Sequence, residues 1–295
     1  MARDVEERNR RLVQEYREAF SSFDPERYTP YLAPEPTYHA GMTKRVGQQA
    51  FHQNTGAGRV LYPHGALRSD EVRVVADGDW VASLIEREAI TNKGEHYENV
   101  YGMFYEVQDG RIATQVELMD FRVSTDKFDL SALGPELRVP GEQAPPDAVA
   151  SPPGDGTSTR EANKRLVVDF LAAFLTFDPD AYERYLTDTP THQVGMSRRT
   201  GRAGYREVAA FGRALYPQGI ADRTYHALLA DDDTVAVLTS MRAVTNKGEQ
   251  YENLYGMFFD IVDGRIAAMT EVLDDRVAAA KFDLAAVGRA RGGAS

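Results

Sequence analysis

Between Val5 and Phe20 the apolar side chains Leu12, Tyr16, Ala19 and Phe20 recur at i, i+4, i+7 and i+8, the spacing of one helix face. The same spacing returns at Leu166, Phe170, Ala173 and Phe174. An FDP triplet follows each run, and a residue before proline avoids the α region, so each helix is predicted to stop there. PERYTPYL reads as a short second helix, PTYHAGM as a short strand, and 48–61 as a third helix. After Leu61-Tyr62-Pro63 the period drops to two. Strands are predicted over 67–76, 80–91, 96–107 and 111–123, with turns at 76–79 and 108–110. Helices followed by a run of antiparallel strands predict an α+β fold.

The whole pattern occurs twice. NKGEHYENVYGMFYEVQDGRIA starts at Asn92 and NKGEQYENLYGMFFDIVDGRIA at Asn246, an offset of 246 − 92 = 154 residues. FDP, GM, LYP and KFDL repeat at the same offset, so no insertion separates them. From Asn92 to Leu130, 24 of 39 positions match their partners, which marks a duplicated domain. The expected organisation is a first domain at 1–131, a Pro/Gly-rich linker at 132–158 and a second domain at 159–295. The prolines make that linker extended and partly stiff.

Composition narrows the partners. A net charge of -11 disfavours nucleic acid, which needs clustered Lys and Arg, and disfavours an anionic membrane surface. The absence of cysteine removes disulfides, thiolate nucleophiles and thiolate metal sites. The first residues, MARDVEERNRR, lack the apolar run of a signal peptide, and no apolar stretch is long enough to span a bilayer. The expected setting is the cytoplasm. No HxH, HExxH or three-ligand cluster stands out, so no metal is expected, and no glycine-rich phosphate loop follows a strand.

Three helices, a curved antiparallel sheet and a closing DGRIA-x-x-x-E strand resemble the NTF2-like superfamily. Within it the chain is similar to the SnoaL-like polyketide cyclases, ketosteroid isomerases and limonene-epoxide hydrolases. The resemblance covers 5–130 and 159–284. It implies two cone-shaped domains, each with a largely apolar cavity between helices and sheet, whose convex sheet faces often pair. Duplication then predicts an intramolecular pseudo-dimer.

Alternation divides the His96–Val107 strand into a row of Glu98, Val100, Gly102 and Phe104 and a row of Tyr97, Asn99, Tyr101, Met103 and Tyr105. The expectation is that the Glu98 row faces the pocket while the Tyr/Met stripe forms a seam between halves, where such residues are enriched. The alternative makes the stripe core and leaves the glutamate row in solvent. On the closing strand, Gln115, Glu117 and Met119 share a face, as do Met269, Glu271 and Leu273. Apolar neighbours raise a carboxyl toward the range useful in proton transfer. The resemblance places an acid/base carboxylate at Glu117 and Glu271, and a partner at Glu86. Relatives of the epoxide-hydrolase type carry an arginine two positions earlier, where this chain has Leu84.

The candidate catalytic set is therefore Glu117, Glu86, Glu98, His39, Tyr38 and Glu271, with Tyr38 or His39 polarising a carbonyl or hydroxyl. Candidate substrate contacts are Tyr16, Phe20, Phe51, Tyr62, Glu88, Val100, Phe104, Met119, Arg242 and Glu252. The copies differ at Glu86/Ser240, Glu88/Arg242 and His39/Gln193, so Arg242 is read as either a structural ion partner or an anion anchor. The expected function is cofactor-independent acid–base catalysis of cyclisation, isomerisation or dehydration on an apolar polyketide-like or steroid-like molecule. An epoxide hydrolase and a non-catalytic hydrophobic-ligand binder or scaffold are the alternatives.

Overall fold

The inward stripe of α1 (Ala2–Ser21) buries Val13, Tyr16 and Ala19, the face that the 3.6-residue period marks. After it the backbone turns through Phe23 at φ 57°. Asp24 then caps α2 (Pro25–Tyr28), its carboxylate accepting from the Glu26 amide at 3.1 Å, with proline at the first helical position. This structure, a computed structural model, describes residues 2–138, 140–148 and 158–285, and divides into units Met1–Pro146 and Asp147–Ser295.

The first unit continues with β1 (Leu32–Ala40), β2 (Thr43–Val46), α3 (Gln48–Leu61), β3 (Ala66–Asp77), β4 (Trp80–Ile90), β5 (His96–Gln108), β6 (Arg111–Met119), α4 (Phe121–Lys127) and β7 (Glu142–Gln143). The sheet order is β3-β4-β5-β6-β1-β2-β7. β1 joins β6 in parallel, and the other pairs are antiparallel. The second unit holds α5 (Thr159–Phe174), α6 (Pro179–Tyr182), β8 (Leu186–Val194), β9 (Ser197–Thr200), α7 (Gly201–Leu215), β10 (Ile220–Asp231), β11 (Thr234–Val244), β12 (Gln250–Val262), β13 (Arg265–Leu273) and α8 (Asp275–Lys281). Its sheet runs β10-β11-β12-β13-β8-β9.

Two segments differ from the periodicity reading. The last strand of the first unit ends at Met119 rather than at 123, because Asp120 accepts from the Val123 amide and starts α4. Part of the expected linker is structured. Gln143 and Glu142 pair with Thr43 and Lys44, adding β7 to the sheet edge. Residues 149–157 of that linker, and 286–295 of the second domain, lie outside the described residues.

The register of β5 on β6 decides which side chains face the helices. A two-residue Asp109-Gly110 turn, both residues at positive φ (51° and 69°), pairs Gln108 with Arg111, as expected of an Asp-Gly hairpin. A bulge between Glu106 and Val107 then shifts the pairing by one residue, so that Glu117 lies opposite Met103 and Gln115 opposite Tyr105. Tyr97, Tyr101, Met103 and Tyr105 accordingly belong to the core of their own unit. They are not a seam, and the reading that made them core is the one the structure supports.

The repeated YENxYG motif builds a hydrogen-bond ladder. The Tyr97 hydroxyl lies 2.6 Å from that of Tyr101, which lies 3.0 Å from that of Tyr62. Asn99 donates to the Tyr97 hydroxyl and to the Asp120 carbonyl, both at 2.9 Å. Tyr251, Tyr255, Tyr216 and Asn253 repeat it. The ladder ties β5 or β12 to the end of the preceding long helix and to the start of the closing short one.

Candidate active site

In the first unit, α1, α3 and the concave face of β4–β6 enclose a cavity of about 420 Å³. Its helix side carries Phe20, Leu61 and Tyr62 together with Arg17, Ser21 and Asn54; its sheet side carries Ile85, Arg87, Tyr101, Met103, Tyr105, Glu117 and Met119. One carboxylate, Glu117, and two guanidinium groups, Arg87 and Arg17, thus share an aromatic chamber.

Glu117 is half-buried, and its Oε2 accepts from the Tyr38 hydroxyl at 3.1 Å. Tyr38 is fully buried, and its pKa is driven well above the usual value, first by burial and then by the nearby Glu117 charge. Tyr38 therefore stays a neutral donor to the carboxylate. Beside it the Tyr16 hydroxyl donates to Gln115 Oε1 at 2.5 Å. The Arg87 guanidinium lies over the Tyr101 ring, 4.6 Å from its centroid, a cation–π arrangement. Burial pulls the Arg87 pKa down, but Tyr101, Tyr62 and Glu117 outweigh it and hold the group protonated. Its Nε is buried without a hydrogen-bond partner among the described residues. Arg17, also in the wall, is ion-paired with Glu71, which accepts from Ser83 Oγ at 2.7 Å.

Of the candidate residues, the structure brings Glu117, Tyr38, Phe20, Tyr62 and Met119 to this chamber or its immediate wall. Tyr16 and Phe51 are fully buried in the core behind it. The others point elsewhere. Glu98 is exposed, opposite Glu88, and Glu86 lies opposite Val100, so all three occupy the outer face of the sheet. Val100, Gly102 and Phe104 share that face, since directly opposed residues project to one side. His39 is opposite Val116, one residue out of phase with Tyr38, and is buried on the outer side. In the second unit Arg242 pairs with Asp222 at 2.6 Å on the surface, and Glu252 is exposed. Sequence reasoning missed Arg87, Arg17 and Glu71. The signal for Arg87 was its two-residue spacing from Ser83 and Ile85, legible only once the inner row was known.

A three-ligand group does exist, contrary to the motif reading, because it forms across strands. Glu88, His96 and Glu98 place ligand atoms within 4.8 Å of one another. Glu88 already holds His96 at 2.7 Å and Arg68 at 3.4 Å, and the group is on the outer face, away from the chamber.

The second unit rebuilds the site with different chemistry. Glu271 stands opposite Met257, as Glu117 does opposite Met103. His192 takes the place of Tyr38: it is 1% exposed and stacks on Tyr205 at 5.0 Å. Its Nε2 lies 4.0 Å from Glu271 Oε2, too far for a hydrogen bond. Phe170 and Met269 replace the Tyr16–Gln115 pair, and Leu171 and Val237 replace Arg17 and Ser83. Without those polar groups, burial raises the Glu271 carboxyl to about 7, with Arg223 pulling the other way. Burial, helped by Arg199, lowers His192 to about 3, so the imidazole is neutral.

A half-cone of three helices on a curved sheet, carrying one carboxylate on its closing strand, defines a small-molecule cavity fold. The sequence matches the SnoaL-like domain family twice, over residues 13–115 and 167–269, and the chain belongs to that family. Among solved structures it is similar to a protein assigned to the SnoaL-like polyketide cyclases from Jannaschia sp. CCS1, at 13% identity over 44% of this chain and 99% of that one, with a TM-score of 0.39. It is also similar to an NTF2-like protein from Burkholderia xenovorans LB400, at 14% identity over 43% and 98%, with a TM-score of 0.36. An NTF2-like protein from Anabaena variabilis ATCC 29413 matches at 15% identity over 44% and 100%, with a TM-score of 0.37. No curated protein matches the chain. Among the described residues no helix is long and apolar enough to cross a membrane.

Proposed function

We propose that the first half is a cofactor-independent acid–base enzyme acting on an apolar small molecule that carries a carbonyl, a polyketide-like or steroid-like ring system being the best fit. The observation that carries this reading is Glu117, in the wall of the 420 Å³ chamber and hydrogen-bonded by Tyr38, with the protonated Arg87 in the same wall. Glu117 takes a proton from the carbon next to the carbonyl. The C–H electron pair becomes the enolate double bond, and charge moves to the oxygen, where Arg87 stabilises it. Return of the proton at another position gives isomerisation; attack of the enolate carbon on a second carbonyl gives cyclisation; loss of a β-hydroxyl gives dehydration. Tyr38 orients the carboxylate, and the aromatic walls hold the substrate body and exclude water.

An epoxide hydrolase of the expected type needs a second carboxylate beside the first, and Glu86 and Glu98 are both on the outer face. A packed-shut scaffold would leave no chamber beside Glu117. The test is Glu117→Gln with a panel of cyclic ketones and poly-β-carbonyl compounds. Turnover should fall by about 10²- to 10⁴-fold while ligand binding persists, and unchanged turnover removes Glu117 from the mechanism. The pairing of the two halves is a further part of this proposal. Sedimentation should give one species of 32.8 kDa, and a stable species of twice that mass refutes it.

A further inference from the structure

The strand pair that carries Tyr38 holds another cation behind the chamber. Tyr38 on β1 lies directly opposite Arg45 on β2, so the two side chains project to one side of the sheet. The Arg45 guanidinium stands over the Tyr38 ring, 5.2 Å from its centroid, within the range of a cation–π contact. Arg45 has no ion-pair partner among the described residues, and its Nε is buried without a hydrogen-bond partner there. Gly141 lets the linker backbone lie against its stem, since a Cβ at that position would sit 3.0 Å from Arg45 Cγ. Holding a half-buried cation without a carboxylate is unfavourable. The contact it does make is with the ring whose hydroxyl donates to Glu117 at 3.1 Å.

The second half supplies the contrast. At the 154-residue offset Tyr38, Arg45 and Gln53 become His192, Arg199 and Glu207. His192 and Arg199 are again directly opposed. There Arg199 Nε lies 3.6 Å from Glu207 Oε2, while His192 is 4.0 Å from Glu271 and makes no hydrogen bond to it. The arginine is thus present in both halves, but it is neutralised only where the ring does not donate to the carboxylate. In the first half the helix position that would supply the neutralising carboxylate is the uncharged Gln53.

We propose that Arg45 is a positioning residue of the first chamber: stacked on Tyr38, it strengthens the Tyr38 hydroxyl as a donor and so holds Glu117 as an oriented, ionised base. The proposal rests on the reading of Glu117 as that base. A cation over a phenol ring draws electron density from the oxygen and makes the O–H a stronger donor. Burial and then the Glu117 charge raise the Tyr38 pKa, and the Arg45 charge opposes them. Stronger donation to a carboxylate favours its ionised form, the form that can accept a proton from carbon. Arg45 is not part of the chamber wall, so it acts through the ring and not on a substrate. The other titratable groups around Glu117 are Tyr16 and Arg17 from α1, Tyr62 after α3, Arg87 from β4, and Tyr101 and Tyr105 from β5. None of them is altered by the substitutions that test Arg45.

The experiment uses the full chain, with turnover of cyclic ketones followed against pH. Carbon NMR of labelled glutamate side chains reads the Glu117 carboxyl, and Glu117→Gln assigns its resonance. Arg45→Met removes the charge and keeps the stem. Gln53→Glu leaves the arginine in place and neutralises it as Glu207 does in the second half. Both should move the acid limb of kcat/KM, and the Glu117 titration with it, to higher pH by about 0.5–1 unit. Turnover above the limb should be unchanged, whereas a merely structural role would lower it equally at every pH. Arg45→Lys, which keeps a cation, should fall between wild type and Arg45→Met. In a Tyr38→Phe background Arg45→Met should add no further shift, because the route runs through the hydroxyl. An unshifted Glu117 titration in folded Arg45→Met and Gln53→Glu overturns the inference, as does a full shift that survives in Tyr38→Phe. The titration is read without substrate, so a shift there beside an unmoved kcat/KM profile refutes Glu117 as the base and not the action of Arg45 on Tyr38.

Discussion

Replacing Glu271 by Gln should stabilise the protein above neutral pH and change little in acid. In the folded state burial lifts this carboxyl from its ordinary 4.5 to about 7, and its side chain is only 16% exposed, so solvent screening is small. At about 1.36 kcal/mol per tenfold change in proton affinity, ionising it in place costs about 3 kcal/mol. The folded carboxyl binds its proton more tightly than the unfolded one. Its contribution is whole below about pH 4.5, declines between about 4.5 and 7, and is gone once the pH has risen through about 7. Wild type should therefore lose about 3 kcal/mol across that window that Glu271→Gln does not lose. The site is read directly by carbon NMR of labelled glutamate side chains, with the variant assigning the resonance, and stability by urea unfolding at about pH 5 and 8. Arg223→Ser should move the midpoint still higher, because Arg223 is the group that pulls it down. A midpoint near 4.5, or parallel stability profiles for variant and wild type, would refute the reasoning.

Two other predictions concern the frame of the site. Gly58→Ala should destabilise the first unit by about 1–3 kcal/mol, although alanine normally favours a helix interior. Its Cβ would sit 2.5 Å from Phe23 Cε1 and 3.0 Å from Cδ1, and that ring is stacked on Tyr62; a melting temperature at or above wild type would contradict this. Asn92→Ala should cost about 1–3 kcal/mol, because the Asn92 side chain both donates to and accepts from the Asp129 backbone at 2.9 Å, closing the β4–β5 turn onto the chain after α4. Faster hydrogen exchange at the Asp129 amide should accompany it, and unchanged exchange would count against that clasp.

The order of helices and strands, the duplication and the family were legible in periodicity and repeated words, because each depends on neighbours along the chain. NKGE as a hairpin turn was legible too, with Gly94 at φ 76°. Glu117 was reached through the closing-strand motif, and its phase with Gln115 and Met119 follows from the two-residue period alone. The faces of β4 and β5 were not legible. Both rows of β5 are apolar and both are largely buried, so alternation gives two rows without naming the inner one.

What assigned them was a single bulge. Counting back from the Gln108–Arg111 pair without interruption puts Glu117 opposite Gly102, on the side of Glu98 and Glu86. The bulge at Glu106/Val107 puts it opposite Met103 instead, and a shift of one residue exchanges every side chain between faces. That exchange removed Glu86, Glu98 and His39 from the chamber and brought in Arg87. The sequence by itself determined which elements form, their duplication and the closing carboxylate, all properties of local pattern. Only the tertiary structure decided which row lines the cavity and which cation faces the carboxylate, because register is set between strands and not along them.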